Sequence, residues 1–166
     1  MGYKFGDVID CIKHTYIGHY IIILGTDTEK NKVLYATITS RTYKAFDGLC
    51  SFFNRFCNIG KCERKCFDRN FKEKKEIIPV DLFSVFFLDK DIYGPALTED
   101  SMIIINKDLR TEDVEVLNRK KKSELIEDAF KLDKKDIYRL YTHTRTSKYI
   151  SPYNLKIIKR SFNLVK

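Results

Sequence analysis

Three short stretches hold residue types that can do chemistry on a phosphate. Thr39-Ser40-Arg41 places two hydroxyls and a guanidinium where a strand ends and the chain turns away. Arginine there neutralises a phosphate and stabilises a pentacoordinate transition state, while the hydroxyls donate to its non-bridging oxygens. RNA needs little more to be cut, since its own 2′-hydroxyl is the nucleophile and the protein supplies a base, cations and an acid. Thr-Ser after a strand is also plain turn chemistry. The second stretch, Thr142-His143-Thr144-Arg145-Thr146-Ser147-Lys148, crowds hydroxyls, an imidazole and two cations, a mixture that grips phosphate or simply decorates an exposed basic tail. The third is His19, beside Gly18 at the start of an apolar run, which places an imidazole near a sheet rim or packs it there.

The cysteines offer a weaker alternative. Cys50, Cys57, Cys62 and Cys66 fall within seventeen residues, and four thiolates suffice for tetrahedral zinc. Structural sites favour Cys-x2–4-Cys pairs, whereas the gaps here are six, four and three, so free thiols packed among aromatics are the competing reading and no cofactor is expected. Asp7 and Asp10 stand three apart on an expected strand, on opposite faces, and do not share a metal. The chain has no Walker loop, Rossmann glycine fingerprint, His-Glu-x-x-His helix or Gly-x-Ser-x-Gly elbow, which disfavours nucleotide hydrolysis, metallopeptidase and serine-hydrolase chemistry.

The elements that must position these groups are written in the hydropathy pattern. Asp7–Ile12 alternates polar and apolar residues, Ile21-Ile22-Ile23-Leu24 is short and β-branched like a central strand, and Val33–Ser40 alternates again after the polar turn Gly25–Lys32. An antiparallel hairpin follows. Residues 41–76 have no clean period; their aromatics interleave with cations, and the stretch is expected as an insertion with a short helix near Leu49–Phe56. Leu82–Leu88 and Ser101–Asn106 predict further strands. From Thr111 on, Val114, Leu117, Leu125, Ile126, Ala129 and Phe130 fall at spacings of three and four, and Asp133 can cap a last helix carrying Ile137, Leu140 and Tyr141. The pattern predicts a single α+β domain: a bent antiparallel sheet from about 1–40 and 77–108, the insertion 41–76, and a helical basic part 109–166.

Length and charge bound the partners. The chain has 166 residues, 43% apolar and 33% charged, enough for one cored domain. Its net charge of +8 is uneven. Met1–Ser40 is neutral, Arg41–Glu76 carries ten basic and five acidic residues, Ile77–Tyr138 ten and fourteen, and Arg139–Lys166 seven and none. Two cationic segments on one face would make a footprint for a polyanion, with Lys44, Arg55, His143, Arg145 and Lys148 holding RNA phosphates and aromatics of the middle segment stacking unpaired bases. The longest strictly apolar run, Tyr20–Leu24, falls far short of a membrane span, and no hydrophobic segment follows the first residues, so a cytoplasmic protein without membrane partners is the expectation.

The order of these pieces resembles a known family. Gly6-Asp7-Val8-Ile9, then Tyr20-Ile21-Ile22-Ile23-Leu24, then Ala36-Thr37-Ile38-Thr39-Ser40-Arg41 is similar to the opening of the PemK/MazF (Kid-like) toxins, and the related ToxN-type ribonucleases look similar at the same third strand. The resemblance covers about the first forty residues and, more loosely, Leu82–Leu88 and Ser101–Asn106. It implies an SH3-like bent antiparallel β-barrel with C-terminal helices, acting as a metal-independent endoribonuclease held inactive by a protein or RNA antitoxin and often paired as a homodimer. Thr39 and Ser40 match the family's hydroxyl pair. Its arginine before the second strand has no counterpart, because Gly18-His19-Tyr20 stands there. Either His19 transfers protons, or Arg41 supplies the charge, or the chain binds RNA without cutting it. A non-catalytic nucleic-acid-binding module and a protein-interaction factor are the rival readings.

Overall fold

The computed structural model describes residues 2–11, 20–39, 84–98, 101–105, 109–147 and 150–166, and the expected hairpin lies at its centre. Seven strands, β1 (Asp7–Asp10), β2 (Tyr20–Asp27), β3 (Lys32–Thr39), β4 (Ser84–Leu88), β5 (Ser101–Ile105), β6 (Arg110–Asp113) and β7 (Glu127–Lys131), form one antiparallel sheet. Its order is β4-β5-β3-β2-β1-β7. The free edge of β3 is shared lengthwise: β5 pairs with its end (Ile38 opposite Ile103) and β6 with its beginning (Lys32 opposite Asp113). Four helices complete the described chain: α1 (Lys90–Tyr93), α2 (Val114–Lys122), α3 (Lys134–Arg145) and α4 (Pro152–Asn163).

The run Ile21–Leu24 explains the layering. An apolar strand without alternation must bury both faces, and here it does. One face of the sheet gives Val8, Ile22, Leu24, Leu34, Ala36 and Ile38 to a core closed by Leu140 of α3 and by Ile158 and Phe162 of α4. The other gives Ile9, Ile21, Ile23, Val33 and Tyr35 to a smaller core under Leu117 of α2 and Ile126. The α+β class with carboxyl-terminal helices is as expected. The sheet is not closed: β4 and β7 stand at opposite ends of the strand order, and no pairing joins them among the described residues. A small barrel turns one face inward around a filled interior, whereas this sheet sits as a middle layer with a helical cover on each side.

Three sequence expectations change, the first being that the helix capped by Asp133 is not the last, since Ser151 and Pro152 start α4 after it. Thr111 is part of β6, and the helical spacing through Leu125, Ile126, Ala129 and Phe130 is not one helix. α2 stops at the cap Ser123, Glu124 takes a left-handed φ of 54°, and β7 then pairs with β1, Val8 opposite Phe130. A half-buried strand with a register shift and a helix edge both place apolar residues three or four apart, and pairing with β1 decided between them. β2 also runs on through Gly25 to Asp27 where a turn was expected. The register shifts between Ile23 and Gly25, an extra residue that bends β2. The expected helix near Leu49–Phe56 lies outside the described residues.

Candidate nucleic-acid interface

α4 begins with two adjacent start signals. Ser151 is the N-cap, its hydroxyl accepting from the Asn154 amide, and Pro152 occupies the first turn, where its missing N–H costs nothing. The buried residues Ile157, Ile158, Ser161 and Phe162 repeat at helical spacing and face the sheet. The opposite face exposes Tyr153, Lys156, Lys159 and Arg160. The helix lies directly on the bulged part of β2: a Cβ on Gly25 would stand 2.8 Å from Ile157 Cγ2 and 3.0 Å from Ser161 Oγ, so only glycine permits this approach. Ser161 Oγ also accepts from the Thr26 amide at 3.0 Å.

The amino end of α4 is latched to the β2–β3 turn. Tyr153 donates its hydroxyl to the Asp27 carboxylate, which also accepts from the amides of Glu29 and Lys30. The Tyr153 bond, with the backbone amides adding to it, holds the Asp27 carboxyl below the usual carboxylate range. The Lys30 ammonium sits 4.4 Å from the centre of the Tyr153 ring, and Arg160 reaches Glu29 at 3.3 Å.

α3 is set by Asp133, whose side chain accepts from the Asp136 amide at 2.7 Å. Asp136, only 3% exposed, takes the Tyr93 hydroxyl at 2.6 Å and the Arg139 guanidinium at 3.1 Å. Burial, first, and the bond to Asp136 push the Tyr93 phenol far above its ordinary value. Leu140 and Thr144 point inward, while Lys134, Lys135, Tyr138, Arg139, Thr142 and Arg145 are exposed. Phe162 of α4 ties the two helices together, stacked on Tyr141 with ring centres 3.9 Å apart and edge-on to Tyr138 at 5.2 Å.

Two helices on one sheet face therefore turn cationic surfaces outward, and from Arg139 to Lys166, the second half of α3 and all of α4, the sequence contains no acid. Arg139 and Arg160 meet carboxylates; Arg145, Lys156 and Lys159 form no ion pair among the described residues. The other side of the sheet differs. α2 carries Arg119, Lys120, Lys121 and Lys122 in its last turn, but Lys120 pairs with Glu112 at 2.9 Å and Lys121 with Asp128.

The sites expected from sequence are divided. Thr39 ends β3, its backbone paired with Met102 of β5. His19, Ser40, Arg41, Lys44, Arg55, Lys148 and the cysteines Cys50, Cys57, Cys62 and Cys66 lie outside the described residues. His143 and Arg145 occupy the last turn of α3. The His143 ring rests 6.0 Å from Phe86 of β4, and Arg139 lies 5.4 Å over the same ring. Phe86 is in register with Ile103, and Ile103 with Ile38, the residue before Thr39. Two strand spacings, about 10 Å, separate the Phe86 and Ile38 backbones. Sequence reasoning did not single out Lys156, Lys159, Arg160 and Tyr138. The signal for the first three was present: a Ser-Pro start followed by apolar residues at helical spacing defines which cations face water.

Among the described residues no group of three or more His, Cys, Asp or Glu side chains is arranged to hold a metal ion, and no helix is long and apolar enough to cross a membrane. Cys11 is buried beneath α2, and burial pushes its thiol up to about 11. No protein-family model matches the chain, and no curated protein or solved structure does either.

Proposed function

We propose that the protein binds RNA, with the phosphate backbone lying across the outer faces of α3 and α4. One observation carries this reading: the acid-free stretch Arg139–Lys166 supplies the second half of α3 and all of α4 on the same sheet face, with Arg145, Lys156 and Lys159 exposed and in no ion pair among the described residues. Such a surface attracts a polyanion and releases its counterions on contact. With RNA as ligand, a cytoplasmic location belongs to the same proposal. The test is fluorescence anisotropy of a labelled RNA against salt concentration. Binding that weakens linearly in log–log form supports the reading; no binding even at low salt overturns it.

A second reading adds cleavage, making the chain a metal-independent endoribonuclease toxin with a protein or RNA antitoxin. The register favours it: His143 contacts Phe86, on the row of the sheet next to the Thr39 end of β3. In this reading Thr39, Ser40 and Arg41 handle the scissile phosphate, His19 moves protons, and Arg145 and Lys148 hold the flanking backbone. Incubation of RNA with pure protein in EDTA tests it. Cyclic-phosphate ends support cleavage by 2′-hydroxyl attack, and intact RNA with retained binding leaves the binding module alone.

A further inference from the structure

We infer that the RNA bound on the α3–α4 layer is single-stranded there, and that Tyr138 is the platform on which one of its bases stacks. The inference rests on the binding reading above and names its substrate class.

Two aromatic rings are prominently exposed among the described residues, Tyr138 at 49% and Tyr153 at 43%, and both belong to the cationic layer. They are not equivalent. Tyr153 is engaged, its hydroxyl given to Asp27 and its ring face covered by the Lys30 ammonium. Tyr138 stands at the junction of the two helices, braced by the edge-to-face contact with Phe162, which is itself clamped by Tyr141 and by Phe5 at 5.9 Å. A ring held by packing yet half open to water loses little side-chain freedom when a base lands on it. Its neighbours complete the site: the exposed Lys134 and Lys135 precede it by one turn on α3.

An aromatic platform among cations is how proteins hold unpaired nucleotides, the ring taking a base and the cations the backbone. A duplex keeps its bases stacked on one another and offers only its phosphates, so Tyr138 adds nothing to duplex affinity. The preference therefore tells the two forms apart at a single residue.

The experiment compares an oligo-uridine strand, an RNA duplex of the same length and heparin, by anisotropy or competition, with the wild-type chain and with Tyr138→Leu, Tyr138→Phe and Tyr138→Trp. Leucine preserves apolar contact with Phe162 but removes the π face. Tyr138→Leu is expected to lose about ten-fold in affinity for the single strand, with duplex and heparin binding unchanged, and Tyr138→Phe is expected to retain it. The chain has no tryptophan, so Tyr138→Trp introduces a lone indole. Its emission should be quenched by oligo-uridine and not by heparin. Equal losses for all three polyanions in Tyr138→Leu, or unquenched indole emission at saturating oligo-uridine, would overturn the platform while leaving the cationic layer intact. Absence of binding to any polyanion would instead remove the reading on which it stands.

Discussion

The two sides of the sheet carry helices rich in cations, but one side is balanced by acids and the other is not. Between Arg110 and Lys131, the stretch that builds β6, α2 and β7, six basic residues meet six acidic ones. Glu112 and Asp128, on the strands before and after α2, take Lys120 and Lys121. On the other side the described cations from Arg139 onward have no acid in their own stretch, and carboxylates reach only two of them among the described residues, Asp136 from one turn earlier and Glu29 from the β2–β3 turn. A run of lysines is therefore no guide to a polyanion site by itself; what the neighbouring strands bring to it decides. The exposed pairs, Lys121–Asp128 and Arg160–Glu29, contribute little to stability, but every pair removes a cation from the field a ligand meets.

The largest expected effect tests that contrast directly. Lys156→Glu with Lys159→Glu should weaken RNA binding about 100-fold at low salt and flatten the log–log salt slope by about 0.7 for each phosphate left without its cation. Arg119→Glu with Lys122→Glu, the same change in charge on α2, should shift affinity by less than about three-fold. Comparable losses from both pairs would erase the distinction between the two sides.

Gly25→Val attacks the packing that seats α4. A side chain there collides with Ile157 and Ser161, and overpacking of this kind costs about 1–3 kcal/mol, readable as a lower urea midpoint. RNA affinity should fall with it, since the cationic face loses its fixed orientation, whereas the core beneath α2 is untouched.

Next in size is the Tyr93–Asp136 bond. Tyr93→Phe leaves a buried carboxylate with one donor fewer and should cost about 1–2 kcal/mol at neutral pH in chemical denaturation. Its pH dependence has a definite sign. A phenol whose value is raised on folding stabilises the fold below the ordinary tyrosine value, about 10, and that contribution disappears as pH rises above it. Wild-type stability should thus drop above about pH 10, and the drop should be shallower in Tyr93→Phe.

The smallest effect concerns the α2 side. Cys11, with its thiol pushed up to about 11, should resist alkylation at pH 8 in the native state and react fully in denaturant, as peptide mapping would show. Rapid native labelling of Cys11 would mean that the α2 cover opens more readily than its packing implies.

Much of the scaffold is legible in local pattern. Ile21–Leu24 announces a strand covered on both faces, the alternation through Thr39 announces its hairpin partner, and Asp133 announces the start of α3. Each depends on neighbours in sequence, through period, propensity or a cap. The stretch Leu125–Phe130 misleads because its spacing suits a helix as well as a half-buried strand, and the partner that settles it, β1, lies more than a hundred residues earlier. The site is legible in part: the acid-free tail and the group around His143 stand out, while Tyr138 is one tyrosine among ten until Phe162 places it at the junction of two helices.

Composition and periodicity alone determined an α+β chain with a buried central hairpin and a cationic carboxyl-terminal part. Only the tertiary structure decided that the described sheet lies between two helical covers, that two lysines of α2 are neutralised, and that those of α4 face outward together. The reason is physical: hydrophobic period and capping act over one or two turns, whereas charge pairing and helix seating depend on groups that meet only when distant segments pack.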